Sequence, residues 1–143
     1  MSYARNLALV YARNDLETGV AAADPHKLVL MLFDGAIKAT QDAAAHLAHG
    51  DVEGKARAIG KAVQIVEDGL RASLVDTSGG ELAGQLDRLY DYIGRRLLHA
   101  SARNDITCLD DVRRLLGELR GAWMAIATPG STPAPREQRL AAV

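Results

Sequence analysis

Residues 24–51 read DPHKLVLMLFDGAIKATQDAAAHLAHGD, and this stretch decides the fold class. Asp24 offers a short acceptor side chain to free backbone N–H groups, and Pro25 suits a first helical position, where its missing N–H is no loss. No further proline intervenes, so the spacing predicts a helix from Pro25 to about His49, ended by Gly50. At about 100° per residue, Leu28, Met31, Leu32, Gly35, Ala39 and Ala43 form the expected core stripe. Val29, Leu30, Phe33 and Ile37 carry the apolar arc far round the cylinder. Lys27, Asp34, Lys38 and Gln41 mark the wet side. A helix apolar over most of its circumference is either central or covered by something besides its bundle neighbours.

Downstream, Asp51 is placed to cap a second helix in which Val52, Ala56, Ile59, Val63, Val66 and Leu70 recur at steps of four and three. A further stripe of mostly small residues, Ala58, Ala62, Ile65, Gly69 and Ala72, lets a second helix approach closely. After the turn-like DTSGG at 76–80, Leu82, Leu86, Leu89, Ile93 and Leu97 mark a third helix. Its Tyr92 falls off that face beside Arg88, Arg95 and Arg96, as on a solvated side. A fourth helix starts near Asp105 to Thr107 and repeats Leu109, Val112, Leu116, Leu119, Trp123 and Ile126. Asp110 and Asp111 lie in its first turn, where the helix dipole favours negative charge. Short links at Gly50-Asp51 and around 102–106 force those neighbours to run antiparallel. The expected fold is all-α: an antiparallel up-and-down four-helix bundle over residues 24–127.

The two ends differ from the bundle. Residues 128–143 hold Pro129, Pro133 and Pro135 among Gly, Ser and Thr, the composition of a disordered tail. Residues 1–23 contain the echo YARN at 3–6 and 11–14. Tyr3, Leu7, Val10 and Tyr11 fit one side of a short helix, too short to be stable alone in water. Such a segment is expected to lie weakly on the bundle as a mobile lid.

Composition narrows the function classes. A chain of 143 residues fits one domain, and 48% hydrophobic residues with only 4% aromatics favour helices. The net charge of -1, from 17 basic and 18 acidic side chains, supplies no basic stripe for nucleic acid. Cys108 is alone, which excludes an internal disulfide and fits a reducing compartment. The N-terminus lacks the plan of a signal peptide, and no apolar run approaches the ~18 residues of a membrane span. The expectation is a cytoplasmic protein without membrane insertion.

Catalytic patterns are scarce. His46 and His49 are three residues apart, but they straddle a helix end and lack an obvious third ligand. No Glu-x-x-His occurs, which removes the di-iron bundle signature. Ser73, Ser78 and Ser101 have no nucleophile-elbow context, and Gly79-Gly80 lacks the rest of a phosphate loop. Cys108, at a helix start, reads as a small core filler. No catalytic residue, cofactor or metal is expected. Two rivals remain at this level: a phosphotransfer bundle using His46 or His49, and an inert structural or dimerising bundle.

Over roughly residues 3–127 the sequence resembles the flagellar secretion chaperone family, FliS. The match is carried by DPHKLVLMLFDGAIKA at 24–39, HGDVEGKARAIGKAVQIVEDGLRASL at 49–74, GGELAGQLDRLYDYIGRRLLHASARND at 79–105 and the late Trp123. Ser101 departs from the pattern, since many relatives have Asn there. The resemblance implies a non-enzymatic chaperone that binds the disordered C-terminal segment of flagellin. It further implies that premature polymerisation is prevented and flagellin delivered to the export-gate protein of the flagellar type III apparatus, with other flagellar regulators as further partners. Carried onto this chain, the flagellin groove would involve Leu28, Met31, Leu32, Phe33 and Ile37. The displaceable lid would include Tyr3, Leu7, Val10 and Tyr11, with Tyr11 as the gate-docking tyrosine.

Overall fold

The computed structural model describes residues 24–74 and 80–126. The lid and tail expectations, at 1–23 and 128–143, lie outside the described residues. Helix α1 spans Pro25–Ala48, with the Asp24 side chain accepting from the His26 N–H at 3.0 Å. The helix ends at Gly50, whose φ of 73° is a left-handed value that glycine adopts without strain. Helix α2 spans Val52–Gln64 and is capped by Asp51, which accepts from the Gly54 N–H at 2.9 Å. It continues without a break into a π-helical segment, Ile65–Arg71. Helix α3 runs Gly80–Arg103 and α4 runs Ile106–Ala125, the latter capped by Asp105.

Each helix packs on its sequence neighbours, and α1 closes the ring against α4. Cross-helix bonds fix the directions. Lys55 near the start of α2 reaches Ser101 and Asn104 at the end of α3. Arg71 at the end of the π segment reaches Asp87 and Asp91 in the first half of α3. Trp123 near the end of α4 meets His26 at the start of α1. The four helices therefore run up and down, as expected. The start of α1, the end of the π segment, the start of α3 and the end of α4 share one pole.

The core face of α1 departs from the expected stripe. Its buried residues are Leu32, Phe33, Ala36, Ala39, Thr40 and Ala43, a face turned by about 70° from the expected one. Leu28, Met31 and Gly35 are only half-buried. The helix is apolar nearly all round, so its neighbours α2 and α4, not its own pattern, choose the side that is sealed. Thr40 enters the core because its hydroxyl donates to the Ala36 carbonyl at 2.8 Å.

In the second helix the two stripes merge into one face. Ile59, Ala62, Ile65, Val66, Gly69 and Leu70 are all buried, while Val52 and Ala56 at its start are exposed. The small-residue stripe thus serves a second bundle neighbour. Burial leaves Cys108 at 1% exposure, a core filler.

Candidate functional site

At the pole where α1 begins, the helix ends splay and leave a cleft of about 340 Å³. Pro25, Val29 and Phe33 of α1 form one wall, and Ser73 and Leu74 beyond the π segment form the next. Leu82, Leu86 and Tyr90 come from α3, and Leu119, Ala122, Trp123 and Ile126 from α4 and its end. The up-and-down topology creates this convergence, because four helix ends meet there with apolar residues on their inner sides.

The cleft has a buried floor and an exposed rim. Phe33 and Tyr90 meet at the floor with ring centroids 6.4 Å apart, and both are buried. Burial pushes the Tyr90 hydroxyl up to about 12, so it is a neutral donor at physiological pH. Leu82 stands 66% exposed on the rim, with Ile126 also exposed. Ser73, the other hydroxyl-bearing side chain in the lining, donates its hydroxyl to the Leu70 carbonyl at 2.7 Å. The surface offered is aliphatic and aromatic.

Two devices brace the walls. Trp123 Nε1–H donates to the His26 carbonyl at 2.9 Å, and His26 Nε2 lies 2.8 Å from the Trp123 carbonyl. On the other side, Arg71 contacts Asp87 at 2.6 Å, Glu67 at 3.1 Å and Asp91 at 3.2 Å. The hydrogen bond from Arg71 holds the Asp87 carboxyl below the usual range. Gly94 makes room for this cluster: a Cβ there would come within 2.9 Å of Glu67 Oε2.

The five groove positions named from the sequence are not brought to one open face. Leu32 and Phe33 are buried, at 1% and 2% exposure, whereas Leu28, Met31 and Ile37 are half-buried. Together they run about 240° around α1. Phe33 alone of the five lines the cleft. Tyr3, Leu7, Val10 and Tyr11 lie outside the described residues. Sequence reasoning assigned Leu82, Leu86, Leu119 and Trp123 to the core and missed their share in a cleft. The available signal was their position near helix ends that the topology gathers at one pole.

The two histidines of the phosphotransfer rival do not converge. His46 Nδ1 pairs with Asp51 at 3.1 Å, while His49 Nδ1 turns to the Ala45 carbonyl at 2.8 Å. Burial, and then the neighbouring Asp105, push the Cys108 thiol up from its ordinary range. Among the described residues, no helix is long and apolar enough to cross a membrane.

The class these features define is an all-α up-and-down bundle with an apolar cleft at one pole. Residues 8–130 match the family described as "Flagellar protein FliS". The chain is 44% identical over 121 residues to the flagellar secretion chaperone FliS of Salmonella typhimurium, covering 85% of this chain and 90% of that one. It is 38% identical over 125 residues to the flagellar secretion chaperone FliSB of Pseudomonas aeruginosa, covering 87% and 98%. With FliS of Bacillus subtilis it shares 32% identity over 119 residues, covering 83% and 84%. The chain belongs to the FliS family of flagellar secretion chaperones.

Proposed function

We propose that this chaperone holds the disordered C-terminal segment of flagellin in the cytoplasm, keeps it from polymerising and hands it to the export-gate protein. The observation that carries the reading is the apolar cleft between the helix ends. A disordered segment that folds on binding loses ordering entropy and must bury a large apolar area in return. An amphipathic helix laid with its apolar side into a groove does this. The groove positions Leu28, Met31, Leu32, Phe33 and Ile37 enter the proposal through Phe33, which lies in the floor of the cleft. The half-buried Leu28, Met31 and Ile37 extend the apolar surface on either flank of α1. Tyr3, Leu7, Val10 and Tyr11 are proposed as the displaceable cover, with Tyr11 as the gate contact. Other flagellar regulators would compete for the same surface.

Calorimetric titration with a flagellin C-terminal peptide tests this. A defined heterocomplex is expected, and Leu82→Asp on the exposed rim should weaken it about tenfold or more, or 1.4 kcal/mol, at unchanged helicity. An acidic residue at Phe33 would unfold the bundle and is uninformative. If the Leu82 variant bound flagellin as tightly as the parent, the cleft would not be the client site. Absence of any complex would favour the inert bundle.

A further inference from the structure

The pole opposite the cleft carries a separate constellation. His99 lies near the C-terminal end of α3, Asp105 caps α4, and Cys108 sits in the first turn of α4. The turn between the two helices is tight, with Asn104 at a left-handed φ of 51°. It folds three side chains from two helices and their link onto one point. One donor atom of each, an imidazole nitrogen, a carboxylate oxygen and Sγ, lies within 4.8 Å of the other two.

We propose that His99, Asp105 and Cys108 bind one zinc-class divalent cation, with water in the fourth position. Mixed nitrogen, oxygen and sulfur donors suit Zn²⁺ or Co²⁺, whereas Mg²⁺ and Ca²⁺ demand oxygen. Bonds of about 2.0–2.3 Å place tetrahedral donors roughly 3.5 Å apart, so the set must close by about an ångström. His99, exposed, can supply part of that movement by rotating its ring. Asp105 is fixed by the Thr107 N–H at 3.0 Å, with the Cys108 Sγ among the donor atoms within 4.8 Å of its carboxylate.

The metal takes the place of that thiol proton. A sulfur–metal bond forms, the S–H bond breaks heterolytically, and the proton leaves to solvent without any change of oxidation state. Arg96 is the cation electrostatically coupled to the thiol, and it is paired with Asp111 at 2.7 Å. The metal would tie α3 to α4 at the end remote from the cleft.

Titration of the full chain with Co²⁺ as the probe tests the proposal. One equivalent should bind, with a thiolate-to-cobalt charge-transfer band in the near ultraviolet and release of one proton, and Zn²⁺ should displace it. Cys108→Ser should abolish the band. His99→Ala, on an exposed position that leaves the fold intact, should weaken binding by at least about tenfold. Absence of the band at excess Co²⁺ would overturn the site. So would a band that survives Cys108→Ser, or an affinity that is unmoved in His99→Ala.

Discussion

His26 and Trp123 hold each other twice. The Trp123 indole N–H donates to the His26 carbonyl at 2.9 Å, and the Trp123 carbonyl lies 2.8 Å from His26 Nε2. A carbonyl only accepts, so this second bond requires the proton on Nε2. The two rings stack with centroids 5.0 Å apart and planes 13° off parallel. Two helix ends separated by almost the whole bundle in sequence are pinned at one wall of the apolar cleft. The pin keeps the cleft open as a shape; it does not fill it.

Trp123→Phe keeps a ring beside His26 and removes the indole donor, so it should destabilise by about 1 kcal/mol. Trp123→Ala also empties the stack and should cost about 3 kcal/mol or more. Urea midpoints of the two variants check the order. Equal midpoints would mean that the hydrogen bond, and not the ring, carries the effect.

Lys55 is 4% exposed, yet its ammonium donates to the Ser101 carbonyl at 2.8 Å and to Asn104 Oδ1 at 2.7 Å. Lys55→Met leaves both acceptors without this donor and should cost about 2 kcal/mol. Asn104 separates the two causes at that turn. Asn104→Ala and Asn104→Gly both lose the acceptor, but only glycine tolerates φ near 51° without strain. The alanine variant should be less stable by about 1 kcal/mol, as read by denaturant unfolding. No difference would place the demand at this turn on the side chain alone.

These two contacts show where the sequence was and was not legible. Asp24, Asp51 and Asp105 declared the helix starts, because a cap needs only a local residue type at a local position. Gly50 declared a stop for the same reason. The core side of α1 was not legible, since an almost fully apolar circumference points nowhere until α2 and α4 take their places. Nothing local marks Lys55 for burial, and its distant acceptors make that burial tolerable. The π segment was equally hidden. Its Arg71 is paired with carboxylates on α3, tertiary contacts that no local period records. The cleft arises from four helix ends, each of which alone looks like ordinary core.

Acid should loosen the bundle through Asp51 and Asp87. The Gly54 N–H lowers the first carboxyl and the Arg71 hydrogen bond lowers the second. Both are depressed on folding, so the unfolded chain binds more protons as the pH falls. Their contribution is present above the ordinary carboxylate range of about pH 4 and is lost as pH drops through the lower folded values. Urea midpoints should thus fall between about pH 5 and pH 3. Asp51→Asn with Asp87→Asn, which keeps a good cap residue, should flatten that fall. An unchanged slope in the double variant would assign the acid sensitivity to other carboxylates.

Removal of residues 1–18 separates a cover from a grip. If Leu7, Val10 and their neighbours only occupy client surface, binding must first displace them, and the apparent affinity is reduced by the covered fraction. Each apolar side chain displaced concerns about one to three kcal/mol at most, a range suited to reversible handover. The shortened chain should therefore bind the flagellin C-terminal peptide as tightly as the parent, or more tightly, in calorimetric titration. A loss of more than about tenfold would mean that the segment contacts the client directly. In that case Leu82→Asp in the shortened chain would still report on the cleft, because its rim belongs to α3 and not to the removed residues.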